Sequence, residues 1–113
     1  MVFMEKPTVA LWQDYLFLTQ EMNKFLDKQD HDMFLELLTQ RERLQKMIES
    51  KHSYDFINSE QGRELVAQIS KINNIISNKV QYILNTEQKN QNLSRAYDGL
   101  NHSTVGIRMD WKS

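Results

Sequence analysis

The stretch LVAQISKINNIISNKVQYILNTEQKNQNLSRAYDGL, residues 65–100, decides the fold that the sequence predicts. Seam positions recur there at alternating steps of four and three residues, which is the heptad pattern of a helix that packs along its length. No proline interrupts the pattern, and if residues 59–98 form one continuous helix it is roughly 60 Å long at about 1.5 Å per residue. The seam positions are Leu65, Ile69, Ile72, Ile76, Lys79, Ile83, Thr86, Asn90, Leu93, Tyr97 and Leu100.

The seam is weakest over residues 85–92, NTEQKNQN, where Thr86 and Asn90 take seam positions. Polar residues at such positions lower the stability of helix packing and can fix its register. The same stretch could equally mark a kink, or a break into a fourth helix. The sequence leaves these alternatives open.

Two shorter helices are predicted before the seam. Pro7 suits the first turn of a helix that runs to about Asp27, because its missing N–H costs nothing there. A second helix is expected from about His31 to Ser50, with Asp30 or a neighbour as its N-cap. The short loop between them makes the two helices an antiparallel hairpin. Their predicted core positions include Leu11, Tyr15, Leu18, Met22 and Phe25 in the first helix, and Phe34, Leu37, Leu38, Leu44, Met47 and Ile48 in the second.

Residues 51–58 are predicted to be a connection whose apolar side chains cover the open end of the hairpin. Those side chains are Tyr54, Phe56 and Ile57, and Asn58 or Ser59 is a plausible cap for the next helix. Three glycines and one proline in 113 residues leave few tight turns. The predicted fold class is therefore all-α: an antiparallel helical hairpin packed on one long C-terminal helix, a three- to four-helix bundle, with a short extended tail.

The tail, STVGIRMDWKS at residues 103–113, has the period of an extended strand. Its apolar residues alternate with small or polar ones and are Val105, Ile107, Met109 and Trp111. We expect two regions, a helical bundle domain over residues 1–102 and a flexible or extended tail over 103–113. One hypothesis makes the tail an autoinhibitory lid, with Met109 and Trp111 filling a groove on the long helix until a partner displaces them. Packing on the bundle, disorder and direct recognition are the alternatives.

Two residues do not fit the simple helical pattern. Arg41 falls on the core face of the second helix, so we expect its guanidinium either to reach an edge or to meet a carboxylate from another helix. Phe17 lies roughly 150° from the centre of the first helix's apolar stripe. Phe17 is therefore expected either to contact another secondary-structure element or to be an exposed aromatic residue.

Composition argues against several classes of function. The net charge is −1 and the 14 Lys and Arg residues are evenly spread, so the basic stripe that nucleic acid requires is missing. The chain has no cysteine, which excludes disulfides and thiolate chemistry and fits a reducing compartment. No apolar run approaches the roughly 20 residues that span a bilayer, and the first residues do not resemble a secretion signal. We expect a cytoplasmic protein without membrane insertion.

The sequence also offers little for catalysis or metal binding. Glu49 and His52 form a single Glu-x-x-His, whereas a di-iron bundle needs that motif twice together with two further carboxylates. The acidic residues 27–32 lack the spacing of a calcium loop and suit helix capping better. Phosphate-binding and nucleophile motifs do not occur. We expect no enzymatic activity, no cofactor and no metal.

The predicted helix lengths point to a binding function. Two helices of about 30 Å can cover only half of a helix of about 60 Å, so the C-terminal half is expected to expose its seam unless it bends back. Exposed apolar surface of that kind marks binding sites, although a homodimer seam is a competing explanation. The predicted partner-binding residues are Phe17, Ile83, Leu93, Tyr97, Leu100, Met109 and Trp111.

The segment LFLTQEMNKFLDKQDHDMFLELLTQRERLQKMI at residues 16–48, with RERL at 41–44, and LSRAYDGL at 93–100 together resemble a known family. They are similar to the small bacterial flagellar export chaperones of the FliT/FlgN type. The resemblance implies a cytoplasmic type III export chaperone that masks the apolar helical end of a flagellar hook-associated or cap protein and delivers it to the export apparatus. Ile83, Leu93, Tyr97 and Leu100 would then match the positions against which client helices lie.

Two alternatives to the chaperone stay open. One is a structural coiled-coil homodimer or adaptor that does not release a client. The other is a metal protein of the helical-bundle type.

Overall fold

The structure, a computed structural model, describes residues 7–51, 54–86, 91–98 and 100, except for the side chain of Tyr54. Four helices are α1 (Thr8–Asp27), α2 (His31–Ser50), α3 (Tyr54–Asn58) and α4 (Glu60–Thr86). Residues 91–98 are also helical and are called the 91–98 segment below. The all-α fold class is confirmed, since the described ranges contain no strand.

Local signals set the ends of the hairpin close to the predicted positions, with Pro7 just before the first turn and not within it. Pro7 is the N-cap of α1, and its carbonyl oxygen accepts hydrogen bonds from the N–H groups of the first turn. The turn into α2 passes through Gln29, whose φ of 62° is left-handed. The Asp30 carboxylate then accepts a 3.1 Å hydrogen bond from the Met33 N–H, which confirms Asp30 as the N-cap.

Helix α1 lies at the centre of the bundle, because it packs against both α2 and α4 while those two helices have little direct contact with each other. The ammonium group of Lys79 in α4 donates to the side-chain oxygens of Asn23 at 2.7 Å and Asp27 at 2.6 Å, near the C-terminal end of α1. The N-terminal part of α4 packs near the N-terminal part of α1. Helices α1 and α4 therefore run parallel, and α2 is antiparallel to both.

The core is divided into two apolar clusters. The lower cluster lies near the start of α1 and consists of Leu11, Trp12, Tyr15, Leu44, Ile48, Val66 and Ile69. The upper cluster lies near the end of α1 and consists of Met22, Leu26, Phe34, Leu38, Ile76, Val80, Leu93, Ala96 and Leu100. Each of α1, α2 and α4 contributes one apolar face to both clusters, as heptad spacing requires.

A polar layer separates the two clusters, with Thr19, Arg41 and Asn73 each buried between them along their helices. The Arg41 guanidinium donates to the Thr19 hydroxyl oxygen at 3.0 Å and lies 4.9 Å from the centre of the Tyr15 ring. The prediction that Arg41 reaches an edge or meets a carboxylate is wrong, because a hydroxyl and an aromatic ring receive it in the interior. Burial lowers the pKa of Arg41 from its ordinary value.

The connection after α2 contains a helix that the sequence did not predict, the five residues of α3. Its Phe56 ring stacks on the buried Trp12 ring at 6.4 Å, and Ile57 also packs against the lower cluster. These two residues cover the open end of the hairpin as expected. The Ser59 hydroxyl oxygen accepts a 3.0 Å hydrogen bond from the Gly62 N–H, which agrees with Ser59 as a cap for the next helix.

Of the alternatives that the sequence leaves open for residues 59–98, one continuous helix does not fit the structure. Helix α4 ends at Thr86, and Leu93, Ala96 and Leu100 lie in the upper cluster against all three long helices. A straight helix of about 60 Å would also exceed the longest dimension of the molecule, which is 46 Å. The alternative of a return into a fourth helix accounts for these positions. Within the described ranges, no helix combines the length and apolar character needed to cross a bilayer.

Candidate partner-binding site

The predicted client surface on the C-terminal seam is largely covered by the chain itself. Leu93 and Leu100 are both 0% exposed. Ile83 and Tyr97 are partly buried and pack against the upper cluster. The expectation that this half of the seam stays uncovered is therefore wrong, because the 91–98 segment folds back and buries it. A partner could reach Leu93 or Leu100 only by displacing that segment.

The other predicted binding residues lie elsewhere. Phe17 is 58% exposed on the outside of α1, so the alternative of an exposed aromatic describes it. Met109 and Trp111 lie outside the described residues, as do the predicted strand of the tail and the lid hypothesis built on it.

An opening along α4 lies beside the lower cluster. It is a groove of about 520 Å³, called the lower groove below. Its wall on α4 is a stripe of residues about one turn apart, and α3 closes its end. The lining residues are Ile57, Asn58, Arg63, Val66, Ala67, Ser70 and Asn74.

The lower groove lies on the flank of α4 that faces away from α1. Ser70 and Lys79 are nine residues apart, which places them roughly 180° from each other around the helix. Lys79 contacts α1, so Ser70 is on the opposite flank. Leu84 follows Val66 by 18 residues, about five full turns, and therefore projects from the same flank higher up. Leu84 packs against the upper cluster, where the 91–98 segment also lies.

These positions define a channel for a fourth helix. The 91–98 segment fills its upper half, and among the residues that the structure describes nothing fills the lower groove beneath it. The described residues thus form three long helices and half of a fourth.

The residues that line the lower groove are better suited to binding a helix than to catalysing a reaction. Its floor is apolar, formed by Ile57, Val66 and Ala67, and its rim is polar. The only ionisable side chain that lines it is Arg63, whose guanidinium donates to the Asn58 carbonyl oxygen at 2.6 Å across the end of the groove. A single arginine supplies neither a general base nor a nucleophile.

The described residues also form no group of three or more side chains that could hold a metal ion. Glu49, half of the single Glu-x-x-His, accepts a 3.2 Å hydrogen bond from the Gln45 amide instead. His52, the other half, lies outside the described residues.

Comparison with known protein families, with curated proteins and with solved structures found no match. The site therefore has to be interpreted from its own geometry.

The lower groove could not be predicted from the heptad pattern, because most of the residues that line it are not large and apolar. Ala67, Ser70 and Asn74 fall outside the heptad seam, where polar and small residues are normally solvated. Their small size at spacings of three and four residues is a usable signal, since small side chains allow another backbone to approach closely. This spacing indicates a groove only when it is known that α3 lies at one end of the stripe and the 91–98 segment at the other.

Proposed function

We propose that the chain is a helical binding protein that accepts an amphipathic helix of a partner protein in the lower groove. The observation that supports this is the half-filled fourth position of the bundle. A partner helix would lie end to end with the 91–98 segment and complete the fourth helix. Helix-in-groove binding of this kind uses apolar anchors spaced by about one turn.

The size of the groove favours moderate, reversible affinity. Its stripe from Arg63 to Asn74 comprises 12 residues, whose first and last Cα atoms are about 16 Å apart along the helix axis, so about 16 Å of partner helix fits beside it. The apolar floor is small, and much of the free energy of burying it is lost in ordering the partner. We therefore expect a dissociation constant in the micromolar range. Reversible binding suits a protein that must hold a client and then release it.

For the class of partner we propose the one that the sequence resemblance implies. The client would be the apolar helical end of a flagellar hook-associated or cap protein, held in the cytoplasm before type III export. The resemblance over the hairpin, residues 16–48, supports this partner class, and the groove supports only the mode of binding. In this proposal the partner-binding residues are Ile57, Ala67 and Ser70 of the lower groove, and no longer Leu93 and Leu100.

The test uses purified full-length chain and synthetic peptides that correspond to the terminal helices of flagellar hook-associated and cap proteins. Binding is followed by fluorescence anisotropy of a labelled peptide. Ala67→Arg places a long charged side chain in the groove without lowering helix propensity, and should weaken binding at least about tenfold. Gln20→Arg adds the same charge to an exposed position of α1, the helix that the groove faces away from, and should leave affinity unchanged.

The possible outcomes separate the groove from the partner class. Equal peptide affinity for wild type and Ala67→Arg would show that the lower groove is not the binding site. If a designed amphipathic helix binds in an Ala67-dependent way while no flagellar peptide does, the groove is supported and the flagellar assignment is rejected. Failure of every helical peptide to bind rejects the proposed function.

A further inference from the structure

Two basic side chains of α4 border the lower groove. Arg63 lines it at the lower end, beside α3. Lys71 lies at the edge of the groove, because it follows Ala67 by four residues and precedes Asn74 by three, and residues at these spacings are neighbours on a helix. Both basic side chains are exposed, so a partner in the groove would meet them.

No carboxylate of the described residues neutralises either charge. The Arg63 guanidinium donates to the Asn58 carbonyl oxygen at 2.6 Å, an uncharged acceptor that leaves the positive charge in place. The ion pairs between described residues lie elsewhere in the molecule, and neither Arg63 nor Lys71 takes part in one. The neighbours of Lys71 at three and four residues along α4 include no acid and are Ala67, Gln68, Asn74 and Ile75.

The acids closest in sequence to Arg63 lie on other sides of the bundle. Glu60 and Glu64 line a separate, shallow groove of about 370 Å³ together with Gln13 of α1. That opening is on the α1 side of α4, whereas the lower groove is on the flank that faces away from α1. Asp55 precedes Ile57 by two residues, roughly 200° around α3, so it lies on the side of α3 opposite to the groove.

Helix α2 adds no acid to the lower groove, since none of its residues lines the groove. Glu49, near the end of α2, accepts a 3.2 Å hydrogen bond from the Gln45 amide, and the Gln45 side-chain oxygen accepts from the Tyr15 hydroxyl of α1 at 3.2 Å. Glu49 is therefore on the side of α2 that contacts α1. Glu42 precedes Glu49 by seven residues, about two turns, and shares that side.

The upper end of the groove contributes no net charge. The 91–98 segment carries one base and one acid, Arg95 and Asp98, both exposed. The border of the groove is therefore positive over about 12 Å, the rise of the eight residues from Arg63 to Lys71. The whole chain has a formal net charge of −1, so this local excess of positive charge is opposite in sign to the charge of the molecule.

We propose that the lower groove selects an acidic amphipathic helix, which directs apolar residues toward Ile57 and Ala67 and carboxylates toward Arg63 and Lys71. This inference rests on the proposed function and adds the charge of the partner to it. Arg63 and Lys71 are about two turns apart. Two carboxylates seven or eight residues apart in the partner are separated by about 10–12 Å and would therefore reach both.

The two basic residues would act on selectivity more than on affinity. Water and salt screen exposed ion pairs, so each pair adds little to the strength of binding. Like charges at an interface are repelled, and opposite charges accelerate association. The apolar floor does not distinguish one amphipathic helix from another, so the charges at the border decide between an acidic helix and a basic one.

The test compares three designed helical peptides that share one apolar face. They carry glutamate, glutamine or lysine at two positions seven residues apart on both flanks of that face. Binding to the full chain is measured by fluorescence anisotropy. At about 50 mM salt the glutamate peptide should bind about tenfold more tightly than the lysine peptide, with the glutamine peptide between them. At about 500 mM salt the difference should fall to within about threefold.

Charge reversal on the protein tests the two residues directly. Lys71→Glu removes no hydrogen bond or ion pair between described residues, and should lower the preference for the glutamate peptide about threefold. Lys71→Glu together with Arg63→Glu should reverse the preference, and circular dichroism checks that this chain is folded. The matched control is Lys24→Glu with Lys28→Glu on α1, which changes the net charge equally and should leave the preference as in wild type.

The outcomes separate this inference from the proposed function. If Ala67→Arg weakens binding of the glutamine peptide but the glutamate and lysine peptides bind equally, the groove remains the binding site and the inference is overturned. A preference that survives reversal of both charges, or that the control on α1 abolishes, overturns it as well. If none of the peptides binds, the proposed function fails and the inference fails with it.

Discussion

Replacement of Arg41 by methionine gives the clearest test of the polar layer. The arginine is 2% exposed, with one 3.0 Å hydrogen bond to Thr19 and a ring contact to Tyr15. Among the residues that the structure describes, no carboxylate lies within ion-pair distance of it. Methionine keeps an unbranched apolar chain of similar length and removes the charge. The substitution therefore isolates the net contribution of a buried guanidinium.

The opposing free-energy terms nearly cancel. Taking an ion out of water costs several kcal/mol. A hydrogen bond from a charged group returns about 1.5–3 kcal/mol, and a desolvated cation–π contact about 2 kcal/mol. The Thr19 hydroxyl keeps its own 2.7 Å hydrogen bond to the Tyr15 carbonyl oxygen, so Arg41→Met leaves no buried donor unpaired. We expect the variant to range from about 1 kcal/mol less stable to about 2 kcal/mol more stable than wild type.

Urea denaturation followed by circular dichroism measures the difference, provided that the slope of the transition is unchanged. Arg41→Ala is the contrast, because it also removes the aliphatic chain and should cost about 2–5 kcal/mol through the cavity it leaves. A methionine variant that loses more than about 2 kcal/mol would refute the reasoning. That result would mean that the guanidinium, with its surroundings, is a net stabilising element of the core.

Three further predictions follow from individual contacts. Gly62→Ala should destabilise the protein by more than about 2 kcal/mol in urea denaturation, since an added Cβ would lie 1.8 Å from the Phe56 carbonyl oxygen, which is backbone. Asp30→Ala should lower the urea midpoint by the equivalent of about 1 kcal/mol through loss of the Met33 N-cap hydrogen bond, and Asp30→Asn should retain most of it. Burial raises the pKa of Tyr15 above its ordinary value of 10.0, so above pH 10 the unfolded chain loses its proton first and wild-type stability falls with pH. Tyr15→Phe should show a shallower fall when unfolding free energies are measured from pH 8 to 11.

The hairpin could be predicted from sequence because its signals are local. A cap such as Asp30 acts on an N–H three residues away, and the apolar stripes of α1 and α2 need only a period of 3.6 residues. Nothing distant has to be known to place the ends of these helices. The observed bounds, Thr8–Asp27 and His31–Ser50, agree with the predicted ones.

The course of the chain after α4 could not be decided in the same way. Heptad spacing runs unbroken through residues 65–100, and it is equally satisfied by one long helix or by two helices that pack against each other. Thr86 and Asn90 weaken either arrangement. The choice depends on the burial of Leu93 and Leu100 among helices that lie more than 50 residues earlier, which periodicity does not report.

The exposure of the predicted site residues was misjudged for the same reason. The most apolar part of the C-terminal seam was expected to be exposed, although apolar residues with an available partner are the first to be buried. The partners of Arg41 could not be predicted either. A charged residue on a core face has several possible partners, and the sequence does not indicate which of them it contacts. Exposed positions such as Phe17, which lies off every stripe, are easier to identify because no neighbour competes for them.

The two halves of the fourth-helix channel should respond differently to a partner. Leu93 and Leu100 already complete the upper cluster, so a helix that enters the lower groove adds to the bundle and displaces nothing described there. Binding should therefore slow amide exchange in α3 and the first turns of α4, whereas the 91–98 segment should change little. If the partner replaced the segment instead, exchange in residues 91–98 would accelerate on binding. Hydrogen exchange with the peptide of highest affinity distinguishes completion of the bundle from exchange of one helix for another.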